Sequence, residues 1–492
     1  MAKKLLSKSR FISGQQCALK LWFDAYQRDL ATPPSEQHQA LFDTGNSVGQ
    51  LAQQRWPGGV EVGFKPWERD QAIAETNKLM ADPMVPAIYE AAFLNEGLYV
   101  RVDILVRTDE GWDLIEVKSS TRPEKDVFLT DLAAQYWVLK HCGIPLREVG
   151  ILVLNNQYVY PGGDYDLEAL FRFHEAREHC QEYSEWVATE VHRLHDVLSQ
   201  EEPPDIGVGD HCFRPYKCPY YAHCSQDVVE PDNPITDLYR LSHGRREELV
   251  TSGVETIEDI PEDFPLSEVQ TRIRETVLTG KPWRSPELDE ALNTVQWPLY
   301  YLDFEASQPA LPRFEGTSPY QAIPFQYSLH VQTGSDSQLE HREFLHNNSK
   351  DPRPYLINKL LDDIGEAGSI IVYSSYERRM LNELAKAFPQ HEAELLALTD
   401  RLWDLLPIIQ NHYYHPGFRG SFSIKSVLPA LLPKEGWSDL ELADGRSAVL
   451  MYEQALITEQ ESLRTDLFDA LRAYCKQDTL AMFKVREALL ID

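Results

Sequence analysis

Hydrophobic and polar residues alternate along two neighbouring stretches near residue 100, and this pattern predicts a β-hairpin. Residues 98–107 alternate as a half-buried strand does, Thr-Asp-Glu-Gly at 108–111 is a turn signal, and residues 112–118 fit a returning strand. The spacing over 126–141 then predicts a helix. Farther on, we expect a strand at 149–154 and one long polar helix over 165–198. Strands and helices thus mix across the first 225 residues, which predicts an α/β domain.

Three charged residues accompany this hairpin, namely Asp103, Glu116 and Lys118. The period of two along a strand places Glu116 and Lys118 on one face, and pairing of the two strands brings Asp103 towards the end of that face. Two carboxylates and an ammonium can hold Mg²⁺ and orient or activate a water molecule. The alternative interpretation is a surface hairpin with a salt bridge, which explains most isolated Glu-x-Lys sequences.

The helix that follows carries Gln135-Tyr136. In the sequence an aspartate is followed by Glu-x-Lys and then by a helix that carries Gln-Tyr. This order of motifs resembles the RecB-type branch of the PD-(D/E)XK nucleases. The resemblance implies that Asp103 and Glu116 bind metal, that Lys118 serves the attacking water, and that Gln135 lies beside them. Glu90, which precedes the hairpin, is a further candidate metal ligand.

A second acidic pattern begins after Pro286. The apolar strand predicted at 297–305 ends in Asp303-x-Glu305, with both carboxylates on one face. The last predicted helix carries Tyr474 and Asp478 one turn apart on one face. Between them the sequence predicts strands at 323–331 and 369–373 and a helix that begins at Tyr376-Glu377; the last helix covers 468–489.

This second order of motifs resembles the Tyr variant of the DEDD exonucleases, in the RNase H-like superfamily. By resemblance, Asp303 and Glu305 form the first motif, and Tyr474 and Asp478 form the last. Glu377 replaces the aspartate that the second motif usually presents.

The chemistry of such a site requires several carboxylates, because two cations about 4 Å apart flank the scissile phosphate. Asp404 is an alternative or auxiliary acidic residue for this purpose. Tyr474 would position the attacking water, because an unperturbed phenol is almost fully protonated at neutral pH.

The chain has seven cysteines, and three of them cluster at Cys212, Cys218 and Cys224. In a long cytosolic chain such a cluster favours metal binding over disulfides, with incidental thiols as the alternative. With Cys17 ahead of the nuclease motifs, the arrangement resembles the RecB-type nucleases that hold an iron–sulfur cluster. The resemblance implies a 4Fe–4S cluster on these four cysteines, although two five-residue gaps replace the usual Cys-x-x-Cys; zinc is the alternative.

Composition limits the possible partners. The 492 residues carry a net charge of −30, which argues against tight non-specific binding to duplex nucleic acid but not against catalysis on nucleic acid. No apolar run approaches the roughly 20 residues of a membrane helix, so we expect no membrane partner. The basic N-terminus has no long apolar stretch, and we therefore expect no secretory signal and a cytoplasmic location.

We therefore expect an α/β chain of three parts, with a PD-(D/E)XK nuclease domain over 1–230, a helical connector over 231–288 and an RNase H-like domain over 289–492. The connector faintly resembles helix–hairpin–helix modules. The expected function is Mg²⁺- or Mn²⁺-dependent hydrolysis of nucleic acid, in repair, recombination or defence. DNA is favoured over RNA, and single strands or ends are the favoured substrates. The alternative is a nucleic-acid-binding or scaffolding protein in which one or both sites are inactive.

Overall fold

The chain forms two compact units in the computed structural model, which describes residues 4–65, 67–438, 440, 442 and 444–491. The first unit contains Met1–Val228 and Pro309–Gln321, and the second contains Val229–Gln308 and Ala322–Asp492. Both units combine helices with a mixed sheet, so the fold class is α/β, as the sequence predicts. Residues 231–288, which were expected to form a separate connector, belong to the second unit. Within the described ranges, the helices are too short or too polar to cross a membrane.

The first unit is built on a seven-stranded sheet. Its strands are β1 (Leu6–Ser7), β2 (Val60–Glu61), β3 (Ala87–Asn95), β4 (Leu98–Thr108), β5 (Gly111–Lys118), β6 (Leu146–Leu154) and β7 (Phe171–Glu175). Its helices are α1 (Lys8–Gln16), α2 (Ala18–Tyr26), α3 (Glu36–Gln53), α4 (Arg69–Ala81), α5 (Asp126–His141), α6 (Leu167–Leu170), α7 (Arg177–Glu182), α8 (Ser184–Ser199) and α9 (Tyr221–Cys224). The sheet order is β2–β3–β4–β5–β6–β7, and β1 pairs with β4.

The single long helix predicted over 165–198 is wrong. Strand β7 interrupts it and pairs antiparallel with β6. The sequence of β7, Phe-Arg-Phe-His-Glu, alternates apolar and polar residues, a short period-two pattern inside a polar stretch. Asp166 begins the short α6 by accepting hydrogen bonds from the amides of Glu168 and Ala169.

Strand β4 has two partners along one of its edges. Residues Leu98 and Tyr99 pair with β1, whereas residues 104–108 pair with β5. The opposite edge of β4 pairs with β3. Residues 100–103 therefore lie at a fork between β1 and β5, and Asp103 is located there.

Helix α5 lies in the core of the first unit. Nine consecutive residues from Asp131 to Leu139 are buried, so the helix is covered on all sides. Leu132, Trp137 and Val138 pack into the main hydrophobic cluster. Because Asp131 and Gln135 are also buried on this helix, their polar atoms require partners inside the unit.

The second unit is built on a five-stranded sheet with a small two-stranded sheet beside it. Its strands are β8 (Trp283–Arg284), β9 (Leu299–Ser307), β10 (Ile323–Gln332), β11 (Glu340–Leu345), β12 (Ser369–Val372), β13 (Leu402–Asp404) and β14 (Tyr413–Tyr414). Its helices are α10 (His243–Thr251), α11 (Glu268–Thr279), α12 (Leu288–Leu292), α13 (Arg353–Asp363), α14 (Tyr376–Ala387), α15 (Glu392–Asp400), α16 (Leu405–His412), α17 (Ile424–Leu431), α18 (Gly445–Ile457) and α19 (Glu461–Ile491).

The order of the large sheet is β11–β10–β9–β12–β13. Strand β10 is antiparallel to β9 and β11, and β12 is parallel to β9 and β13. The central strand is therefore β9, which carries Asp303 and Glu305. Helix α19 packs against β9 and β10 and carries Tyr474 and Asp478.

Candidate active sites

The second unit brings three predicted carboxylates together. Asp303 and Glu305 lie two residues apart on β9 and share a face of the sheet, and Asp478 approaches them from α19. One ligand oxygen from each of the three residues lies within 4.8 Å of the others. Three carboxylate oxygens at this spacing match the hard ligands that Mg²⁺ and Mn²⁺ prefer.

These carboxylates face a cavity of about 250 Å³. Two further predicted residues, Glu377 at the start of α14 and Tyr474 on α19, line the same cavity. So does Lys425 from α17. The structure therefore brings together the five residues that the second acidic pattern predicts for one site, namely Asp303, Glu305, Glu377, Tyr474 and Asp478.

Burial and mutual repulsion disfavour the charged form of the carboxylates of this cavity. Burial and the neighbouring Asp478 raise the pKa of Glu305 to about 8. Burial raises the pKa of Asp478 to about 6, against the opposing effect of Lys425. The pKa of Asp303 lies well above its ordinary value because of burial and then because of Asp478 and Glu305. A divalent cation would relieve this repulsion as protons do, so the donor set fits such an ion.

The Glu377 carboxylate gives independent support for a cation in this cavity. Its side chain is buried, and its Oε2 atom has no hydrogen-bond partner among the described residues. Burial raises the pKa of Glu377 to about 8. A buried carboxylate oxygen without a partner is costly, and a cation or its water in the cavity would satisfy it.

Two hydrogen bonds and one further charge surround the cluster. The Lys425 ammonium donates to the Tyr474 hydroxyl at 2.8 Å. The Trp437 indole N–H donates to Asp478 Oδ1 at 2.9 Å. Asp444, whose side chain caps α18, contributes to the raised pKa of Glu305, after burial, Asp478 and the opposing Lys425.

Asp404 has a structural role. Its Oδ1 accepts a hydrogen bond from the Leu406 amide at 3.0 Å and caps α16. It is absent from the residues that line the cavity, although its charge contributes to the raised pKa of Glu377 after burial. The structure therefore keeps Asp404 apart from the group formed by Asp303, Glu305 and Asp478.

The first unit also brings its predicted residues together, at the fork between β1 and β5. Lys118 donates to Glu116 Oε1 at 2.6 Å, and Gln135 donates to Glu116 Oε2 at 2.7 Å. Asp103 accepts a hydrogen bond from the Val117 amide at 2.8 Å, which ties its carboxylate to β5. Asp131, one turn before Gln135 on α5, accepts a bond from Lys118 at 2.8 Å.

Lys8 also enters this cluster from the first turn of α1. Its ammonium is 3.2 Å from both oxygens of Glu116 and 3.6 Å from Asp131 Oδ1. Glu90 lies at the edge of the cluster and pairs with Arg101 at 3.2 Å, in a backbone conformation with φ of 56°. Burial raises the pKa of Glu90, and the charges of Arg101, Lys8 and Glu116 act on it, so Glu90 lies within electrostatic reach of the group around Glu116.

The two lysines reverse the effect of burial on Glu116. Burial and Asp103 oppose its ionisation, but Lys118 and Lys8 outweigh them, so its pKa is lower than usual. Burial likewise opposes the charge of Lys8, yet Asp131 and Glu116 raise its pKa. Burial and Glu116 raise the pKa of Asp131. Among the described residues, the buried Gln135 Oε1 has no hydrogen-bond partner, which leaves a position for a water molecule or another ligand.

The four cysteines of the expected cluster lie near one another. Cys17 is the residue between α1 and α2, and the Cys218 amide donates to the Cys212 carbonyl at 2.7 Å. Burial raises the pKa of Cys224, and the charges of Cys218, Cys212 and Cys17 add to it. All four thiols are free of disulfides.

The spacing of these thiols bears on the group that they could hold. A zinc ion with Zn–S bonds of about 2.3 Å keeps its sulfurs about 3.8 Å apart. Among the described residues, the group with all ligand atoms within 4.8 Å is Asp303, Glu305 and Asp478, so the cysteines are spaced more widely.

Sequence reasoning missed several residues of both sites. Asp131 had a local signal, since it lies four residues before Gln135 and so on the same helix face. Lys8 had no such signal, because it reaches Glu116 across 108 residues. Trp437 and Asp444 lie in a stretch without regular periodicity between α17 and α18.

Comparison with known families gives one match. Residues 300–423 match a family described as a domain of unknown function, DUF2779. The matched segment includes Asp303, Glu305 and Glu377 and ends before Lys425 and the residues of α19. No curated protein matches the chain.

Proposed function

We propose that this protein is a divalent-cation-dependent nuclease with two hydrolytic sites. The first unit would be a RecB-type PD-(D/E)XK nuclease, and the second an RNase H-like exonuclease of the DEDD type. Both would hydrolyse phosphodiester bonds, with DNA as the favoured substrate and Mg²⁺ or Mn²⁺ as the metal.

The observation that carries this proposal is the group formed by Asp303, Glu305 and Asp478. Its ligand oxygens lie within 4.8 Å of one another, and the pKa values of Asp303 and Glu305 are raised by burial and then by the neighbouring carboxylates. Such a group has a high electrostatic cost unless it binds cations. The order of the sheet, with the third, second, first, fourth and fifth strands adjacent and only the second antiparallel, supports the RNase H-like resemblance.

The residues around the group suggest how each would act. Asp303, Glu305 and Asp478 would hold the metal, which supplies Lewis-acid activation of water and of the phosphate. The Tyr474 hydroxyl, held by the Lys425 ammonium, would orient the attacking water. Lys425 would also attract a phosphate oxygen to a cavity whose other ionised groups are negative.

The site of the first unit has the donor set that its resemblance requires. Glu116 and Asp103 would hold the metal, and Lys118 would serve the water, with Gln135 fixed against Glu116. The free thiols of Cys17, Cys212, Cys218 and Cys224 support a bound inorganic cluster. A 4Fe–4S cluster is the proposed group, and a zinc ion is the alternative.

The test is hydrolysis of labelled single- and double-stranded DNA and RNA with Mn²⁺ or with a chelator. We expect metal-dependent cleavage that Lys118→Ala and Asp303→Ala each reduce and that the double variant loses. Asp469→Ala, on an exposed face of α19, is the matched control and should cleave normally. Undiminished cleavage by the double variant would rule out both sites.

One observation favours a second candidate function for the first unit. Each oxygen of Glu116 already accepts hydrogen bonds from two side chains, so this carboxylate is satisfied without a metal. A satisfied cluster is compatible with an inactive site that binds or scaffolds nucleic acid. Retained DNA binding by Lys118→Ala with unchanged cleavage would support this candidate.

A further inference from the structure

Glu116 has no free position for another ligand in its present surroundings. Its Oε1 accepts from Lys8 and Lys118, and its Oε2 accepts from Lys8 and Gln135. A carboxylate offers about four lone-pair positions, and these four contacts fill them. A cation can therefore bind Glu116 only if one donor moves away.

The backbone places Lys8 in this position. Strand β1 pairs with β4 through Leu6 and Ser7, directly before Lys8, on the edge of β4 that leads to Asp103. Ser7 then caps α1 by accepting a bond from the Arg10 amide. Arg10 fixes the turn through bonds to the carbonyls of Leu5 and Asp24.

The contact lengths show which donor is held least tightly. Lys8 is 3.2 Å from each oxygen of Glu116, whereas Lys118 is 2.6 Å and Gln135 2.7 Å from theirs. Gln135 is fully buried on α5 and cannot turn to solvent. The Lys8 side chain is 23% exposed and flexible, so it can withdraw.

We infer that Lys8 is a built-in counter-ion that competes with a divalent cation for Glu116 and Asp131. In the metal-free protein its ammonium neutralises the cluster, and cation binding displaces it towards solvent. Lys8 thereby sets the cation concentration at which the site of the first unit is loaded. This inference rests on the proposed function, because it requires that the site binds a divalent cation.

The experiment measures Mn²⁺ binding directly, by the loss of the free-ion signal in electron paramagnetic resonance. The full chain carries Asp303→Asn and Asp478→Asn, so that the second unit does not contribute. In this background we compare Lys8, Lys8→Met and Lys8→Gln. Lys125→Met is the control, because Lys125 is exposed and contacts the Phe128 ring.

We expect both Lys8 substitutions to tighten Mn²⁺ binding at least about tenfold, because a unit positive charge near the cation acts through an effective dielectric constant of about 20. Lys125→Met should bind as the background chain does. Equal or weaker binding in both Lys8 variants, with binding in the background chain, overturns the inference and leaves the proposed function intact. Absence of Mn²⁺ binding in all of these chains overturns both the inference and the proposed metal-dependent function of the first unit. Thermal unfolding of each variant shows that it is folded, and Lys8→Gln retains a donor if Lys8→Met is unstable.

Discussion

Glu116 in the first unit and Glu305 in the second are both buried glutamates in carboxylate clusters, yet their pKa values move in opposite directions. Burial opposes the charge of both. At Glu116, Lys118 and Lys8 outweigh burial and the repulsion from Asp103, so the pKa falls. At Glu305, burial and Asp478 prevail over Lys425, and the pKa rises to about 8.

The difference lies in the cations that each unit supplies. In the first unit, two lysines contact Glu116 and Asp131 within 3.6 Å. In the second, the acidic group includes Asp303, Glu305 and Asp478, and Lys425 is hydrogen-bonded to Tyr474. The two glutamates therefore differ in their surroundings, because lysines of the protein offset the charge of Glu116, whereas Glu305 requires a proton or an external cation. Even in the first unit, burial raises the pKa values of Asp103 and Asp131.

The largest effect that follows is on metal affinity. We expect Asp303→Asn to abolish the tighter class of Mn²⁺ sites, with an affinity loss of about 100-fold or more, since removing a ligand from a group of three costs several kcal/mol. Glu116→Gln should leave that class unchanged. Titration of Mn²⁺ into the chelator-treated protein measures both. Loss of the tighter class of Mn²⁺ sites in Glu116→Gln, and not in Asp303→Asn, would contradict the difference between the two clusters.

The next effect is a dependence of stability on pH, to which Glu305 and Glu116 contribute with opposite signs. Asp103 and Asp131 of the first unit, whose pKa values burial raises, act in the same sense as Glu305. The raised pKa values of Glu305, Glu377 and Asp478 mean that the folded state holds these protons more tightly than the unfolded chain. Their stabilisation is complete below about pH 4 and is lost as the pH rises through about 6 to 8. The lowered pKa of Glu116 acts in the opposite sense, because its stabilisation is present above the ordinary carboxyl range and is lost in acid.

Thermal unfolding of the metal-free protein between about pH 5 and 8 tests this dependence, because the raised pKa values of Glu305, Glu377 and Asp478 lie in this range. We expect the melting temperature of the second unit to fall with rising pH and Mn²⁺ to restore it. Glu305→Gln should flatten the curve. A melting temperature that rises across this range for the second unit would contradict the proposed lack of counter-charge.

Local patterns in the sequence predicted much of what lies within one element. The helix predicted at 126–141 has the observed bounds, and the hairpin 98–118 agrees within a residue or two. Alternation and helical spacing also placed Asp303 with Glu305, and Tyr474 with Asp478, on shared faces. Such pairs depend only on backbone periodicity, which the sequence carries.

Residues that join a site through tertiary structure could not be predicted in this way. Lys8 reaches Glu116 only because β1 pairs with β4, and no local pattern encodes that pairing. Lys425 approaches Tyr474 because α17 packs against α19. Strand β7 was missed because five alternating residues within a polar stretch give a weak signal.

A moderate loss of turnover by the second unit is expected from Lys425→Met. It removes the ammonium from the Tyr474 hydroxyl and from the cavity, so we expect turnover by the second unit to fall about 30-fold, as for loss of one charged catalytic contact. Mn²⁺ should bind at least as tightly, because a positive charge has been removed. Lys434→Met, at an exposed position after α17, is the control. Weaker metal binding with unchanged turnover would exclude this role.

The smallest effect is expected from a hydrogen bond to the group formed by Asp303, Glu305 and Asp478. It tests whether this hydrogen bond contributes to metal affinity and turnover. Trp437→Phe removes the indole donor to Asp478 while retaining an aromatic ring. Because a net hydrogen bond contributes about 1 kcal/mol, Mn²⁺ affinity and turnover should change only about fivefold. Trp403→Phe is the matched control, since its indole N–H donates to Thr294 outside the cluster. Equal effects of the two substitutions would show that Trp437 contributes through packing alone. The indole hydrogen bond would then not stabilise the charge of Asp478, and the bound cation would have to do so.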